Sequence, residues 1–285
     1  MDKRGRGLLQ IHAAVLLFGL TGIFGKSIDL PARYITLGRV FFASVSMGLF
    51  FLVKKTDIRP KCRKDCAAMI LTGALLAFHW SAFYASVQLS TVAIALLTFS
   101  VYPIFVTFIE PVMFSEKLKK ADVAAAMIMF LGVLLIVPAF DIKNDMTAGL
   151  LWGIAGSAAF AAMSLVNRKF AKDYGGSIIA FYEQGSAALF LLPMLIFCRP
   201  AVSARDMGLL ALLGILFTGV AHSLFIGGMK YVRAQTAGII AGIESVYGII
   251  FAALILNEIP TVRELTGGAV ILGTALYTTM RSKSE

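Results

Sequence analysis

Six side chains carry charge or an exchangeable ring proton inside otherwise apolar stretches: Arg39, Glu110, Glu183, Glu244, His79 and His222. A charge at the centre of a membrane helix costs about 2.5–3.5 kcal/mol on insertion scales, so each residue needs a reason to be there. Glu244, deep in AGIESVYGII, has Tyr247 three positions on and Gln235 nine before. A carboxylate there suits a cationic or amino group of a ligand, or exchange of a proton; the structural alternative is a carboxyl bonded between helices. Glu183, between Tyr182 and Gln184, and Glu110, just before Pro111, are candidates for coupling or gating. Glu110 is expected to face a basic loop and pair with Lys117 or Lys119. Arg39 is expected to snorkel toward headgroups or to pair with Glu183.

His79 and His222 lie in FHWSAFY and AHSLFIGG. With Trp80, Tyr84 and Tyr102 they suit an aromatic wall for a cation or an apolar group. A helix turns about 100° per residue, which puts His79, Phe83 and Ser86 on one face and Trp80 and Tyr84 on the next. Interhelical hydrogen bonds are the competing use of both histidines. The ligand-binding candidates are therefore Glu244, Tyr247, His79, Trp80, Tyr84, Tyr102, His222 and Gln235, and the coupling or gating candidates are Glu244, Glu183, Arg39 and Glu110. Three scattered histidines without carboxylates or thiols at ligand spacing give no expected metal site, and no cofactor is expected. The stretch GLTGIFGKS ends like a phosphate-binding loop, but Leu20 stands where its first glycine belongs and no strand precedes it. HExxH and GxSxG are absent too, which argues against an intramembrane hydrolase.

The elements that must hold these residues are membrane helices. Of 285 residues, 59% are apolar and 15% charged, against about 25% charged in soluble domains. From Cys66 to Ile109, 44 residues pass without an Asp, Glu, Lys or Arg. A crossing takes roughly 20 residues, so that run is two crossings and a tight turn. Only helices satisfy their own backbone in lipid without closing into a barrel. Charge, proline and asparagine then divide the chain into ten spans: 8–28, 33–53, 66–87, 91–114, 121–139, 147–167, 176–197, 207–229, 234–256 and 263–280. The first apolar run lacks a cleavage site and is expected to stay as a helix. Cys62, Cys66 and Cys198 have no framework spacing and are expected to be free thiols.

With the N-terminus cytoplasmic, 19 Lys and Arg residues fall on the inside segments and 6 outside, with Arg39 left within a span. That bias predicts an even number of spans with both termini cytoplasmic, in the cell membrane. The net charge of +10 then reflects topology and attraction to anionic lipid, and no nucleic-acid partner is expected.

The two halves repeat. The segment from Tyr84 to Leu118 and the segment from Gly227 to Pro260 each join an interfacial junction to a long span and a closing glutamate, Glu116 and Glu258, which stand 142 residues apart. Gln88 and Lys230 share that offset. Five spans per half is odd, so the second half, 144–285, enters the membrane opposite to the first, 1–143. Inverted repeats are the architecture of alternating-access carriers.

The runs SVYPIFVTFIEPVMFSEKLKKADVAAAMIMFLGVLLIV and IESVYGIIFAALILNEIPTVRELTGGAVILGTALY resemble the paired domains of the EamA-type branch of the drug/metabolite transporter superfamily. The resemblance covers essentially the whole chain. It implies an all-α integral membrane fold of ten helices in two inverted five-helix repeats, with a substrate cavity lined chiefly by helices 1, 3, 4, 6, 8 and 9. Within it Arg39 matches a basic residue of the second helix, Pro103 and Glu116 a proline-to-glutamate spacing, Glu244 the first member of a frequent Glu-Pro, and Glu258 the closing glutamate. Ser245 replaces that proline, so a kink is not expected there.

The expected function is secondary active export of a small metabolite, such as an amino acid or organic cation, with protons as the candidate coupling ion. The alternatives are a passive facilitator of the same fold and a membrane scaffold without solute. A scaffold predicts no central cavity.

Overall fold

The computed structural model describes residues 3–114, 118, 120–136, 144–171, 173–197, 200–232 and 234–281, with 234–239, 275 and 278–281 described in backbone only. These residues form ten helical segments and no strand. They are α1 (Lys3–Ser27), α2 (Ala32–Lys54), α3 (Arg63–Leu89), α4 (Val92–Phe114), α5 (Lys120–Ile136), α6 (Asp145–Phe170), α7 (Gly176–Phe197), α8 (Ala204–Met229), α9 (Ala234–Leu256) and α10 (Val262–Arg281). Over its described residues, each of the ten apolar stretches expected from the sequence is essentially helical. Seven of the segments, α1 to α4 and α6 to α8, are long and apolar enough to cross a bilayer, and α9 adds a shorter apolar stretch, Ile240–Leu256. Large apolar side chains such as Val53, Val112, Phe197 and Leu254 point outward and are more than 70% exposed, which suits lipid and not water.

Short polar signals start these helices. The side chains of Thr91, Asn144 and Ser203 accept from the backbone N–H of Ile94, Met146 and Asp206 at the beginnings of α4, α6 and α8. Two segments are interrupted. In α1 the helix breaks at Leu20, between Lys3–Gly19 and Thr21–Ser27. In α4 it breaks at Ser100 and Val101, between Val92–Phe99 and Tyr102–Phe114, because Pro103 lacks an N–H and its ring disfavours a continuous helix before it. By contrast α9, where Ser245 replaces the proline, runs unbroken.

The packing obeys an exchange of halves. If each helix of the first five is swapped with the one five places on, the most extensive contacts map onto one another: α3 on α6 becomes α8 on α1, α3 on α7 becomes α8 on α2, and α4 on α6 becomes α9 on α1. The pairs α2 with α7, α4 with α9 and α5 with α10 map onto themselves. Close approaches repeat at the same offset of 142. A Cβ on Gly7 would come within 2.9 Å of Val232 and 3.1 Å of the Gly228 carbonyl; one on Gly149 would come within 2.8 Å of Ser90 and 3.2 Å of the Ser86 carbonyl. Small residues at such crossings let helix backbones touch where lipid offers no hydrophobic drive.

Charges gather at the two ends of the bundle. At one, Lys26 bridges Glu258 at 3.3 Å and donates to the Ser90 carbonyl, while Glu258 accepts from the Val92 N–H and so caps α4. At the other, Lys61 pairs with Asp173 at 2.8 Å, which raises the Lys61 pKa above its ordinary value, and the Tyr174 hydroxyl donates to Asp65. Glu110 of α4 pairs with Arg168 of α6. The expected partners Lys117 and Lys119, like Glu116, lie outside the described residues, as does Cys198; Cys62 and Cys66 are free.

The tightest α3–α7 crossing gives a paired test. A Cβ on Gly73 would lie 2.4 Å from Ser186 Cβ and 2.8 Å from the Glu183 carbonyl, whereas one on Gly185 meets nothing within 4 Å. Gly73→Val is expected to destabilise the detergent-purified protein by about 1–3 kcal/mol through overpacking. Gly185→Ala is expected to be neutral or to stabilise by up to about 1 kcal/mol through helix propensity. Thermal unfolding of the two variants checks both.

Candidate functional site

A central cavity opens where the two halves meet. Phe18 and Thr21 of α1, Arg39 of α2, four residues of α3 and Phe99 of α4 line it from the first half; Phe160 of α6, His222 and Phe225 of α8, and Ala241 and Glu244 of α9 line it from the second. These are the helices the resemblance implied, joined by α2 through Arg39. On α3 the lining residues are Leu76, His79, Trp80 and Phe83, whose spacing of three, one and three defines one helix face. That face differs from the expected division: His79 and Trp80 share it, while Tyr84 and Ser86 do not line the cavity. Its volume is about 40 Å³, space for roughly three or four waters at ~10–15 Å³ each. The cavity is constricted, since pockets for drug-sized ligands run to about 300 Å³ or more.

Arg39 is the structural centre of this site. Its residue is 1% exposed. Nε donates to Thr218 Oγ1 at 2.9 Å, Nη1 donates to the Tyr84 hydroxyl at 2.8 Å, and the guanidinium lies over the Trp80 ring at 3.7 Å from its centroid. These contacts overturn both sequence expectations: Arg39 does not reach a headgroup region, and its partner is not Glu183. The reason is that α8 offers polar and aromatic groups at the depth where Arg39 emerges, so the protein itself replaces water around the ion.

The local fold of α8 makes this possible. From Ile215 to Val220 the helix widens into π geometry, and Thr218 Oγ1 donates to the Leu213 carbonyl five residues back at 2.8 Å. Just before the widening, Gly214 packs so closely on α2 that a Cβ would lie 2.6 Å from the Arg39 carbonyl. Single π turns inside α-helices recur at functional sites. Nothing in ILFTGV signals the widening, so Thr218 escaped the sequence reading.

Glu183 bonds His222 instead. His222 Nε2 lies 2.8 Å from Glu183 Oε2, and both residues are buried. Glu183 Oε1 and both amide atoms of the neighbouring Gln184 are buried with no hydrogen-bond partner among the described residues. His222 therefore connects Glu183, buried outside the cavity lining, to the cavity itself. His79 Nδ1 lies 2.9 Å from the Gly156 carbonyl; a carbonyl only accepts, so this nitrogen carries the hydrogen and the ring is tied to α6.

Glu244 lines the same cavity and is 7% exposed. Its carboxylate has no hydrogen-bond or ion-pair partner among the described residues. The next residue, Ser245, fixes its depth: Ser245 Oγ lies 2.5 Å from Ser100 Oγ and donates to the Leu96 carbonyl at 3.0 Å, so α9 crosses α4 at the break before Pro103.

The remaining candidates lie elsewhere. Tyr84 serves Arg39 from outside the lining. Tyr102 stacks on Phe99 at 5.8 Å and meets the edge of Phe160 at 5.3 Å, one layer outside the cavity. Tyr247 packs on Gly19 of α1. Glu110 is in the ion pair with Arg168, away from the cavity lining. The Gln235 side chain lies outside the described residues. The structure adds Phe18, Thr21, Phe99, Phe160 and Phe225, apolar or small residues whose types alone carried no signal of a site.

A multi-pass helical bundle built as two exchangeable five-helix halves around a central, partly charged cavity defines a class of membrane carrier-like folds. The chain matches the EamA-like transporter family model twice, over residues 5–137 and 147–280, and it belongs to that family. A transporter of Archaeoglobus fulgidus, uncharacterized beyond that description, is 28% identical over 95% of both chains. The pseudopaline exporter CntI of Pseudomonas aeruginosa is 23% identical over 95% of both chains. An S-adenosylmethionine uptake transporter of Rickettsia conorii is 23% identical over 84% of this chain and 80% of its own. A solved crystal structure at 17% identity shares the fold over 98% of both chains, with a TM-score of 0.71. The protein is a multi-pass membrane transporter.

The hydrogen bond from Arg39 to Thr218 yields a direct check. Thr218→Val removes the acceptor and leaves a buried guanidinium N–H unpaired, so it is expected to cost about 1.5–3 kcal/mol of stability. Thr218→Ser keeps the oxygen and is expected to cost less than half as much. Thermal unfolding of both variants in one detergent compares them.

Proposed function

We propose that the protein is a secondary active carrier that exports a small metabolite, such as an amino acid or an organic cation, across the cell membrane by alternating access. The observation that carries this reading is Glu244: a buried carboxyl group without a partner among the described residues, on a central cavity to which both halves contribute. In this reading all ten helical segments span the bilayer, residues 1–143 and 144–285 form inverted repeats, and both termini are cytoplasmic. Exchange of the conformations of the two halves then exposes the cavity to either side in turn. The constricted cavity is an intermediate of that cycle, and binding of a metabolite requires the halves to part.

Several observations support it. The most extensive helix contacts survive an exchange of halves, as a two-repeat carrier requires. A guanidinium and a carboxyl group on one cavity, Arg39 and Glu244, suit a polar solute. The scaffold alternative predicted no central cavity, with Glu244, Tyr247 and His79 packed against side chains; Tyr247 does pack on α1, whereas Glu244 and His79 line a cavity. Outward direction is taken from likeness to the pseudopaline exporter; the Rickettsia relative is named for uptake, and one alternating geometry serves both because gradients set the direction of net flow. Proton coupling is assigned to Glu244, with Glu183 and its partner His222 as the route by which a second buried carboxylate senses the cavity.

Transport into proteoliposomes under an imposed pH gradient is the test. Glu244→Gln is expected to lower flux by roughly tenfold or more, the loss of one charge-assisted contact, and to flatten its dependence on pH. Flux that survives this change with the same pH dependence removes Glu244 from coupling. Native flux that needs neither a proton gradient nor counter-transport favours the facilitator.

A further inference from the structure

We infer that two ion pairs are the gates of transport: Lys26 with Glu258 at one end of the bundle and Arg168 with Glu110 at the other, each released to open the central cavity to its own side. This rests on the carrier reading above and deepens it by naming the contacts that part.

The two pairs are counterparts under the exchange of halves. Phe18 of α1 and Phe160 of α6 both line the cavity, and they stand 142 residues apart, the offset of the repeat. Lys26 and Arg168 each follow eight residues later and so share that offset. At 1.5 Å per residue each cation lies about 12 Å along its helix from the cavity wall, on the way out of the bundle. Lys26 Nζ bridges Glu258 at the end of α9, at 3.3 Å, and Arg168 pairs with Glu110 of α4. Since α9 is the counterpart of α4, the partners correspond as well. Each pair joins a helix of one half to a helix of the other, where the halves must separate for a solute to pass.

A single helix places the pairs at opposite ends. Glu258 accepts from the N–H of Val92, the first residue of α4, and Glu110 lies 18 residues farther along α4, about 27 Å at the same rise. The second half therefore holds α4 at both of its ends. Glu258 is carried by α9 and is not a loose loop residue. Asn257 takes the left-handed φ of 56°, which its short side chain tolerates, and the Glu258 N–H turns back to the Ala252 carbonyl at 3.3 Å. Arg168 is held on α4 by more than charge, since its guanidinium lies 5.1 Å from the centroid of the Phe114 ring.

Burial separates these pairs from a further bridge between the halves. Lys26 and Glu258 are 26% and 23% exposed and Arg168 and Glu110 41% and 28%, whereas Lys61 and Asp173 are 60% and 58% exposed, within reach of screening by salt. A charge-assisted contact of moderate strength suits a gate, since it biases a closed state and still breaks in each cycle. With both pairs formed, the constricted cavity is shut at both ends. Opening one end leaves the other pair as the tie between the halves.

The experiment uses the full-length chain with Cys62→Ser, Cys66→Ser and Cys198→Ser and one reporter, Thr21→Cys, on the cavity wall. Labelling of the reporter by a membrane-impermeant methanethiosulfonate reagent is timed from each face of the membrane, in right-side-out and inside-out vesicles, and needs no substrate. Lys26→Met and Glu258→Gln are each expected to speed labelling from one face by roughly three- to tenfold, the range for a partly exposed charge-assisted pair. Arg168→Met and Glu110→Gln are expected to do so from the opposite face. Two substitutions per pair keep the comparison when one variant fails to fold. Combining them within a pair is expected to add little to either alone, and full additivity, the mark of general loosening, overturns the gate assignment. If the variants of both pairs speed labelling from the same face, or none changes it while the native chain is labelled from either side, the gates fall and the carrier reading stands. If every variant speeds labelling from both faces equally, the cavity is a continuous pore and both fall. A reporter reached from neither face in any variant overturns both as well.

Discussion

A guanidinium held in the middle of an apolar bundle must be solvated by the protein, because neither lipid nor bulk water reaches it. That requirement organises the centre of this molecule. To meet it, Tyr84 and Trp80 come from one turn of α3, Thr218 comes from α8, and α2 is pressed against α8 at Gly214 so closely that no side chain fits between them. The π turn of α8 belongs to the same solution, since it supplies an oxygen at the right depth while its own hydroxyl proton is taken by Leu213. Helices α2, α3 and α8 are thereby locked across the boundary between halves. What is left of the guanidinium faces the cavity.

Around this centre the halves are joined by two kinds of contact. Glycine and serine crossings bring backbones together at places related by the exchange of halves, as at Gly7 with Gly228 and Gly149 with Ser86. The polar contacts of the two cavity histidines are not so paired. His222 bonds a carboxylate on α7, whereas His79, its near counterpart, bonds a backbone carbonyl on α6. Packing thus keeps the repeat, and chemistry departs from it. A shared scaffold with diverged side chains is what a carrier fold needs to place one site, rather than two equivalent ones, between its halves.

Most of the fold was legible because lipid imposes simple rules on sequence. Apolar runs divided by charge, proline and asparagine gave the helical segments to within a few residues at most ends, as with 176–197 and 234–256. The site was legible in part. Glu244, His79, Trp80 and His222 share a cavity, as their chemistry suggested. The partners of Arg39 and Glu183 were not legible, because partner choice depends on how each helix is rotated, and weak periodicity in an all-apolar helix leaves that rotation open. Thr218 was hidden for a second reason: a π turn moves a residue off the face that regular helical spacing assigns. Tyr102 and Tyr247 illustrate the opposite error, in which a residue type apt for binding is used for packing.

The break in α4 has no equivalent in α9. Were the two repeats identical, a structure open to one side and a structure open to the other would be related by symmetry and equal in free energy. Here one half has an interrupted helix at Pro103 and the other a continuous one at Ser245, with the two joined through Ser100. On the proposed carrier reading the two end states are therefore unequal in free energy, and the resting population leans to one of them. A solute that binds the disfavoured state has its apparent affinity reduced by the fraction of molecules in that state. On that reading the same cavity, with the same side chains, presents different half-saturation concentrations to the two sides of the membrane.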